Sequence, residues 1–165
     1  MKLYTVAMGL KVYKQKRDFK KTSEPRAKTK FGAGQAFPIF VVQKHRARQL
    51  HYDFRLEYRG VLKSWAVPKG PPRRAGDRHL AVMVEDHPFA YKDFQGRIPK
   101  GEYGAGTVEI WDKGTYEPVK PVGTGIKNGH LTFILRGKKL KGEYALVSLR
   151  GSKKDWLMLK ANKKV

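Results

Sequence analysis

Apolar and polar residues alternate along several short stretches of the chain, with the period of two that is typical of β-strands. The clearest stretch, residues 50–58 (LHYDFRLEY), sets leucine, tyrosine and phenylalanine against histidine, aspartate, arginine and glutamate. Runs rich in β-branched and aromatic residues recur from residue 37 onward, and turns with glycine separate most of them. The pattern predicts an all-β fold, a compact antiparallel β-barrel of about eight short strands.

The first part of the chain has a different character. Residues 1–35 carry ten lysines and arginines against only Asp18 and Glu24. A short helix is expected near residues 9–16, followed by loop. No internal linker indicates a second domain, so we expect residues 1–35 to be a basic N-terminal arm that packs on a barrel of residues 36–165.

Two later segments also lack the alternation. Residues 87–105 form a long irregular stretch, and such a stretch inside a compact domain is usually functional or contains a misassigned element. Residues 119–129 contain several glycines, and we expect them to form a loop.

The charge balance narrows the choice of partners. Thirty-six lysines and arginines against fourteen acidic residues give a formal net charge of +22. Such a charge repels itself in the folded state, and nucleic acid is the usual partner that offsets it. A membrane surface is a weaker alternative, because no apolar stretch approaches about 18 residues. A third alternative is that the charge serves solubility alone. Trp65, Trp111 and Trp156 lie in strand-like runs, which favours core packing over base stacking.

The absence of cysteine limits the possible metal ligands. Disulfides and thiolate sites are excluded, so His, Asp, Glu or water must hold any metal. The N-terminus lacks the pattern of a signal peptide, and an intracellular protein is the simplest interpretation.

One row of side chains has the composition of a metal site. Alternate residues of a strand point to opposite faces, so His51, Asp53 and Arg55 share one face. A tight turn at residues 46–49 would fold His45 back beside His51. Two imidazoles and a carboxylate suit Mn²⁺, Fe²⁺, Zn²⁺ or Co²⁺, and an arginine beside them suits a phosphate. The alternative is a solvated strand with surface salt bridges, and His87 has the alternative of a turn residue before Pro88.

These residues belong to longer motifs. The segments FVVQKHRARQLHYDFRLEYRGVLKSWAVPKGP and HLAVMVEDHPFAYKDFQGRIPKGEYGAGTVEIWDKGTY closely resemble the 3′-phosphoesterase domain of the bacterial and archaeal DNA ligase D family. The resemblance extends to YKQKRDFKKTSEP and covers roughly residues 10–160. It implies a β-barrel that uses manganese to remove 3′-terminal phosphates and 3′-terminal ribonucleosides from nucleic acid ends before ligation in end-joining repair.

The resemblance also implies roles for individual residues. The metal ligands would be His45, His51 and Asp53. The phosphate-contacting residues would be Arg55 and His87, with Tyr91 near the scissile phosphate. The residues expected to contribute to activity from outside this group are Lys69 and an N-terminal set, Arg17, Asp18 and Glu24.

One departure from the family pattern concerns phosphate binding. The family commonly has an arginine just before Leu-Ala-Val, where this chain has His79 preceded by Arg78. A shift of one residue on a strand moves a side chain to the other face. Either His79 contacts the phosphate, or Arg78 reaches it from the strand start.

The expected partners follow from charge and resemblance together. They are DNA or RNA 3′ ends, including a primer–template with a 3′ ribonucleotide, held in part by Lys14, Lys16, Lys20 and Lys21. The expected cofactor is Mn²⁺, with Co²⁺, Zn²⁺ or another divalent transition metal as alternatives. A DNA ligase or polymerase and Ku-type end-joining proteins are implied by resemblance only. We expect a monomer in the prokaryotic cytoplasm, with no membrane partner. The alternative function is a catalytically weak module that binds nucleic acid ends.

Overall fold

A computed structural model describes residues 9–28, 37–150 and 152–162, and within them one antiparallel sheet of nine strands dominates. The strands are β1 (Ile39–Arg46), β2 (Leu50–Tyr58), β3 (Val61–Val67), β4 (Arg78–Pro88), β5 (Gly96–Ile98), β6 (Gly106–Pro118), β7 (His130–Gly137), β8 (Lys141–Ser148) and β9 (Asp155–Lys160). Eight of them follow the order β1-β2-β3-β4-β9-β8-β7-β6, and pairing of β1 with β6 closes the ring. The all-β barrel predicted from the alternation is confirmed. β5 pairs only with β6 and lies outside the ring.

Short hairpin turns set the register of the first strands. Between β2 and β3, Arg59 and Gly60 both have positive φ, 50° and 80°. Two central residues with positive φ match the right-handed twist of the flanking strands, which explains a glycine at this position. The turn pairs Tyr58 with Val61 and fixes which side chains of β2 and β3 share a face.

The barrel interior is filled by large apolar side chains. In β2, Phe54 and Leu56 are fully buried there, as the alternation predicts. Trp65 and Trp156 meet edge to face with ring centroids 5.8 Å apart, so the expected core positions of these two residues are confirmed. Trp111 differs, because it is only partly buried and packs at the margin of the core.

A second apolar cluster lies on the opposite face of β1 and β2 from the core. Helix α1 (Lys11–Gln15) contributes Tyr13, which is fully buried. The irregular stretch after β4 contributes a 3₁₀ helix, Phe89–Asp93, which the sequence pattern did not predict. The full cluster consists of Tyr13, Leu62, Phe89, Tyr91, Phe94, Ile98 and Val108. Residues 9–28 therefore pack on the outside of the barrel.

Strand β6 serves both apolar clusters because it contains a bulge. Trp111 has no partner in β1, and the pairing shifts between Val42 and Gln43. In a regular strand Val108 and Tyr116 would share a face. Instead Val108 packs in the outer cluster and Tyr116 in the core. The extra residue reverses the face to which alternate side chains point. Apolar side chains before the bulge therefore pack on the outer face, and those after it pack in the interior.

The prediction of a glycine-rich loop for residues 119–129 is wrong, because this segment contains helix α2 (Val122–Asn128). The helix ends at Gly129, whose φ of 75° is the left-handed conformation that commonly terminates helices. Val122 and Ile126 pack against the core, which holds the helix in place despite its two internal glycines. Along the described ranges, no helix is both long enough and apolar enough to cross a membrane.

Asp112 fastens the turn between β7 and β8 to β6. Its buried carboxylate accepts hydrogen bonds from four backbone N–H groups, those of Lys113, Lys138, Lys139 and Leu140, at 2.8–3.1 Å. Four donors on one carboxylate compensate for its burial, so a charged residue beside the core is tolerated here.

Candidate active site

The β1–β2 hairpin brings three residues of the predicted metal row together. Cross-strand pairing sets His45 opposite His51, and Gln43 opposite Asp53. Their neighbours Val42 and Phe54 point into the core, so these polar side chains lie on the outer face of the barrel. One ligand atom from each of His45, His51 and Asp53 can be chosen so that all lie within 4.8 Å of one another.

The Asp53 carboxylate lies between the two imidazoles. His45 Nδ1 is 3.3 Å from Asp53 Oδ2, and His51 Nε2 is 3.2 Å from Asp53 Oδ1. The other ring nitrogens meet backbone carbonyls, His45 Nε2 at 2.6 Å from Gly104 O and His51 Nδ1 at 3.1 Å from Gln49 O. A carbonyl can only accept, so each outer nitrogen carries the N–H.

This choice of tautomer leaves two lone pairs that face a carboxylate. Lone pairs of His45 Nδ1 and His51 Nε2 against the anionic Asp53 repel unless a cation lies between them. Either a proton on each ring or one metal ion supplies that positive charge. A metal-bound histidine usually donates its second N–H to a carbonyl or carboxylate, which is the arrangement of both rings. The three residues therefore fit a divalent metal.

Charge around Asp53 keeps it ionised. Burial on its own would raise the pKa of Asp53, but the Arg55 guanidinium and the two imidazoles outweigh burial and hold the pKa well below its usual value. Burial lowers the pKa of His51, yet its hydrogen bond and Coulomb attraction to Asp53 leave that pKa raised overall. Protons and a metal would thus compete for the same nitrogen.

Arg55 is held rigidly beside this cluster. It is 2% exposed, and it donates from Nε to Gln43 Oε1 at 2.7 Å and from Nη1 to Ser64 Oγ at 3.0 Å. Its Nη2 lies 3.3 Å from Asp53 Oδ2. One N–H on each terminal nitrogen remains for another acceptor. Such a fixed guanidinium can bind an anion without losing much side-chain entropy.

His87 is buried and uncharged. Burial, and then the positive charges of Arg55 and Arg17, hold the pKa of His87 well below its usual value. Its Nδ1 lies 3.0 Å from Glu85 O, which places the proton on Nδ1 and leaves Nε2 facing Arg17 Nη2 at 3.5 Å. The ring packs edge to face against Tyr91, with centroids 4.7 Å apart.

The N-terminal arm completes the outer wall of the site. Arg17 donates to Glu24 Oε2 at 3.2 Å and to Glu85 Oε2 at 3.3 Å, and its guanidinium lies 4.0 Å from the centre of the Tyr13 ring. The Tyr91 hydroxyl donates to the same oxygen of Glu24. Glu24 is buried, and its hydrogen bond with Tyr91 links the arm to the 3₁₀ helix.

These groups surround a cavity of about 290 Å³ on the outer face of the barrel. Its lining includes the predicted residues Arg17, His45, His51, Asp53, Arg55, His87 and Tyr91, together with Glu85 and Tyr103. The structure thus brings together, from β1, β2, β4, the 3₁₀ helix and the arm, seven residues that the sequence singled out.

Five predicted residues lie outside the cavity lining, and Glu24, described above, is one of them. Lys69 is exposed in the loop after β3, and Arg78 is exposed at the start of β4. His79 Nδ1 lies 2.6 Å from Gly70 O, so His79 holds the loop that carries Lys69. Asp18 Oδ1 accepts from the Lys20 backbone N–H at 3.0 Å and stabilises a local turn.

The lysines predicted to bind nucleic acid divide into two groups. Lys14, Lys20 and Lys21 are exposed on the arm. Lys16 lies at the rim of the cavity, where Nζ is 3.1 Å from Glu85 Oε1 and 4.5 Å from the centre of the Tyr103 ring.

Several contributors were not predicted. Gln43 precedes His45 by two residues and shares its strand face, so the alternation could have found it. Ser64 lies within one strand-like run and Glu85 follows another. Nothing in the residue type or position of either one indicates a role in a site. The Gly104 carbonyl, which fixes the His45 tautomer, could not be found from residue type, because every residue has a carbonyl.

Comparison with known proteins agrees with the family resemblance seen in the sequence. Residues 43–148 match the family model described as the DNA Ligase D 3′-phosphoesterase domain. A Pseudomonas aeruginosa protein named "Multifunctional non-homologous end joining protein LigD" is 48% identical over 151 residues, which are 90% of this chain and 18% of that protein. The Mycobacterium tuberculosis H37Rv protein "Multifunctional non-homologous end joining DNA repair protein LigD" is 47% identical over 154 residues, 92% of this chain and 20% of the relative. The chain spans about a fifth of the length of these relatives.

The cluster geometry predicts metal-dependent stabilisation. Titrating metal-free protein with Mn²⁺ or Zn²⁺ should raise the melting temperature, with a stability gain of about 2.7 kcal/mol when the metal is at a hundred times its dissociation constant. His51→Ala should remove most of this gain, while His130→Ala, which changes an exposed histidine outside the cavity, should retain it. An undiminished gain in His51→Ala would place the metal elsewhere.

The depressed pKa of His87 predicts a pH dependence of stability. Below pH 6.5 the unfolded chain protonates this residue and the folded chain does not, so stability falls as the pH falls. The difference in unfolding free energy between wild type and His87→Gln should shrink by about 2 kcal/mol from pH 7.5 to 5, since one proton is worth about 1.4 kcal/mol per pH unit. Urea unfolding at several pH values measures it, with His130→Gln as control. A constant difference would show that His87 takes up its proton in the folded protein over the same pH range as in the unfolded chain.

Proposed function

Because the chain belongs to the DNA ligase D 3′-phosphoesterase domain family, we propose that it is a metal-dependent hydrolase that heals 3′ ends of nucleic acid. It would remove 3′-terminal phosphates as a phosphomonoesterase and 3′-terminal ribonucleosides as a phosphodiesterase. The observation that carries the proposal is the Asp53 carboxylate between two imidazoles whose outer N–H groups are both held by carbonyls.

His45, His51 and Asp53 would hold the metal, for which Mn²⁺ is our proposal and Co²⁺ or Zn²⁺ the alternatives. A divalent ion at this position would supply positive charge to a phosphate ester and lower the pKa of water. Arg55 would bind a phosphate oxygen through its two remaining N–H groups, since its other donors are engaged. Preorganised donors of this kind stabilise the charge that develops during phosphoryl transfer.

His87 and Tyr91 would contact the phosphate from the other side of Arg55. The cations that depress the pKa of His87 are Arg55 and Arg17, after burial itself. A bound phosphate dianion would offset both charges, so His87 could take up a proton and donate it to a phosphate oxygen. Tyr91 is less suited to give up its proton, because burial raises its pKa well above the usual value.

The arm would act through the residues that it positions. Glu24 accepts from both Arg17 and Tyr91, so it orients two groups that line the cavity without lining it itself. Removal of a 3′ nucleoside requires the site to hold one additional nucleoside beyond the scissile phosphate, which a substrate with a 3′-phosphate does not carry. The arm, with Arg17, Asp18 and Glu24, would serve this step in particular.

The nucleic acid would be bound through its phosphates. A net charge of +22 gives a strong, sequence-independent attraction to a polyanion that decreases with salt. Lys14, Lys20 and Lys21 are free of ion pairs within the described ranges and would contribute on the arm. Lys69, Arg78 and His79 would act on the substrate from outside the cavity lining. We further propose that the protein acts as a monomer in the cytoplasm. Its partners would be a DNA ligase or polymerase and Ku-type end-joining proteins.

The experiment that tests the proposal uses a DNA oligonucleotide with a 3′-phosphate and Mn²⁺, and measures inorganic phosphate. We expect turnover by wild type and a loss of at least a hundredfold in His51→Ala, because a ligand is removed while the barrel core is untouched. The alternative is a binding module without catalysis. No phosphate from wild type, even at many-fold enzyme excess, would support that alternative.

Glu24 allows the two activities to be separated. Glu24→Gln should reduce removal of a 3′ ribonucleoside by about tenfold or more, and release of 3′-phosphate by less, because the variant disturbs Arg17 and Tyr91 and leaves the metal ligands in place. Gel analysis of a primer–template with one 3′ ribonucleotide, beside the phosphate assay, measures both. Equal losses would show that the arm serves no step selectively.

A further inference from the structure

A group of cations surrounds two aromatic rings at the barrel end opposite helix α2. Lys139 Nζ lies 4.7 Å and the Arg73 guanidinium 5.4 Å from the centre of the Trp111 ring. The Tyr52 ring packs edge to face on Trp111 at 5.5 Å, and Lys44 Nζ lies 5.8 Å from the Tyr52 ring centre. With Lys160, these residues form what we call the basic–aromatic surface: Lys44, Tyr52, Arg73, Trp111, Lys139 and Lys160.

Carboxylates do not neutralise these charges. Among the described residues, Lys44, Arg73, Lys139 and Lys160 form no ion pair, whereas other surface cations such as Arg74 and Arg136 do. Asp112, the chain neighbour of Trp111, is buried and occupied by four backbone N–H donors. Aromatic rings hold a cation in place and leave its charge intact, so these cations are oriented for an anion.

The cations are also close enough to repel one another. Burial, and then the positive charge of Arg73, lower the pKa of Lys160. Lys160 Nζ lies over the Tyr144 ring at 4.7 Å and donates to Lys141 O at 2.6 Å, which keeps it near Arg73. Clustering of like charges costs free energy in the isolated protein, and a polyanion would recover it.

The same two strands carry this surface and the cavity. Tyr52 lies between His51 and Asp53 in β2, and Lys44 precedes His45 in β1. The hairpin tip that separates the two carries Arg46 and Arg48, both exposed. A nucleic acid strand whose 3′ end lay at Asp53 would therefore cross this basic hairpin tip before it reached the basic–aromatic surface.

We propose that the basic–aromatic surface binds the sugar–phosphate backbone of the single strand that leads to the 3′ end in the cavity. The inference deepens the proposed function and rests on it for the direction of the strand. Interleaved cations and partly exposed rings are the usual means of binding single-stranded nucleic acid without regard to sequence. The bulge at Trp111 supplies the ring, because it turns that side chain out of the regular alternation of β6.

The test is the salt dependence of binding, measured by fluorescence anisotropy without divalent metal on a single-stranded DNA ending in a 3′ hydroxyl. The double variant Arg73→Gln/Lys139→Gln should bind more weakly, and its slope of log K against log salt should be about 1.4 shallower than that of wild type, about 0.7 per lost phosphate contact. The control Lys120→Gln/Lys127→Gln removes two exposed lysines beside and within α2, and its slope should change by less than half as much. Equal changes in the two double variants would overturn the proposal.

Two further measurements separate the alternatives. If wild type binds poly-glutamate as tightly as DNA of equal charge, with the same loss in Arg73→Gln/Lys139→Gln, the surface fits an acidic protein and the proposal fails. In the phosphate-release assay this variant should show a KM raised severalfold and an unchanged kcat. A fall in kcat alone would assign these residues to the chemical step instead. Because anisotropy needs no catalysis, a wild type that binds and does not hydrolyse would refute the proposed function and leave the surface standing.

Discussion

The buried carboxylate of Asp53 is the point on which the outer face of the barrel depends. A charged group in this position is stable only because Arg55 and two imidazoles surround it. Arg55 in turn is held by Gln43 and Ser64, one from the strand on each side of β2. Removing one partner would leave another charge buried and uncompensated, which costs several kcal/mol. The side chains of the cluster therefore depend on one another, and the pairing of β1, β2 and β3 holds them in place.

The sequence predicted those parts of the structure that depend on strand period. The alternation in residues 50–58 separated Phe54 and Leu56, which pack in the core, from Asp53 and Arg55, which lie in the site. It failed where tertiary contacts override local preference. Helix α2 contains two glycines and is stabilised by packing of Val122 and Ile126, which no local pattern shows.

The site was predicted unevenly for the same reason. Chemically distinctive residues such as His45, His87 and Arg17 could be singled out from type and family resemblance. Residues that act through their backbone, or through a common side chain in a rare environment, could not. The Gly104 carbonyl and the Ser64 hydroxyl belong to the second kind. Lys69 and Asp18 illustrate the converse, because the structure places both outside the cavity lining.

Because the arm docks on segments that lie far along the chain, the candidate site can assemble only after those segments have been synthesised. Glu24 and Arg17 reach their partners Tyr91 and His87 across 67 and 70 residues of chain. On a ribosome that adds about 5–20 residues per second, the arm emerges several seconds before β4 and the 3₁₀ helix are made. During that interval Arg17 lacks His87 and Glu24 lacks Tyr91 as a partner. Closure of the ring must wait longer still, because β1 has to find β6. The cavity lining therefore cannot be complete on a nascent chain until the segment that carries Gly104 has been made.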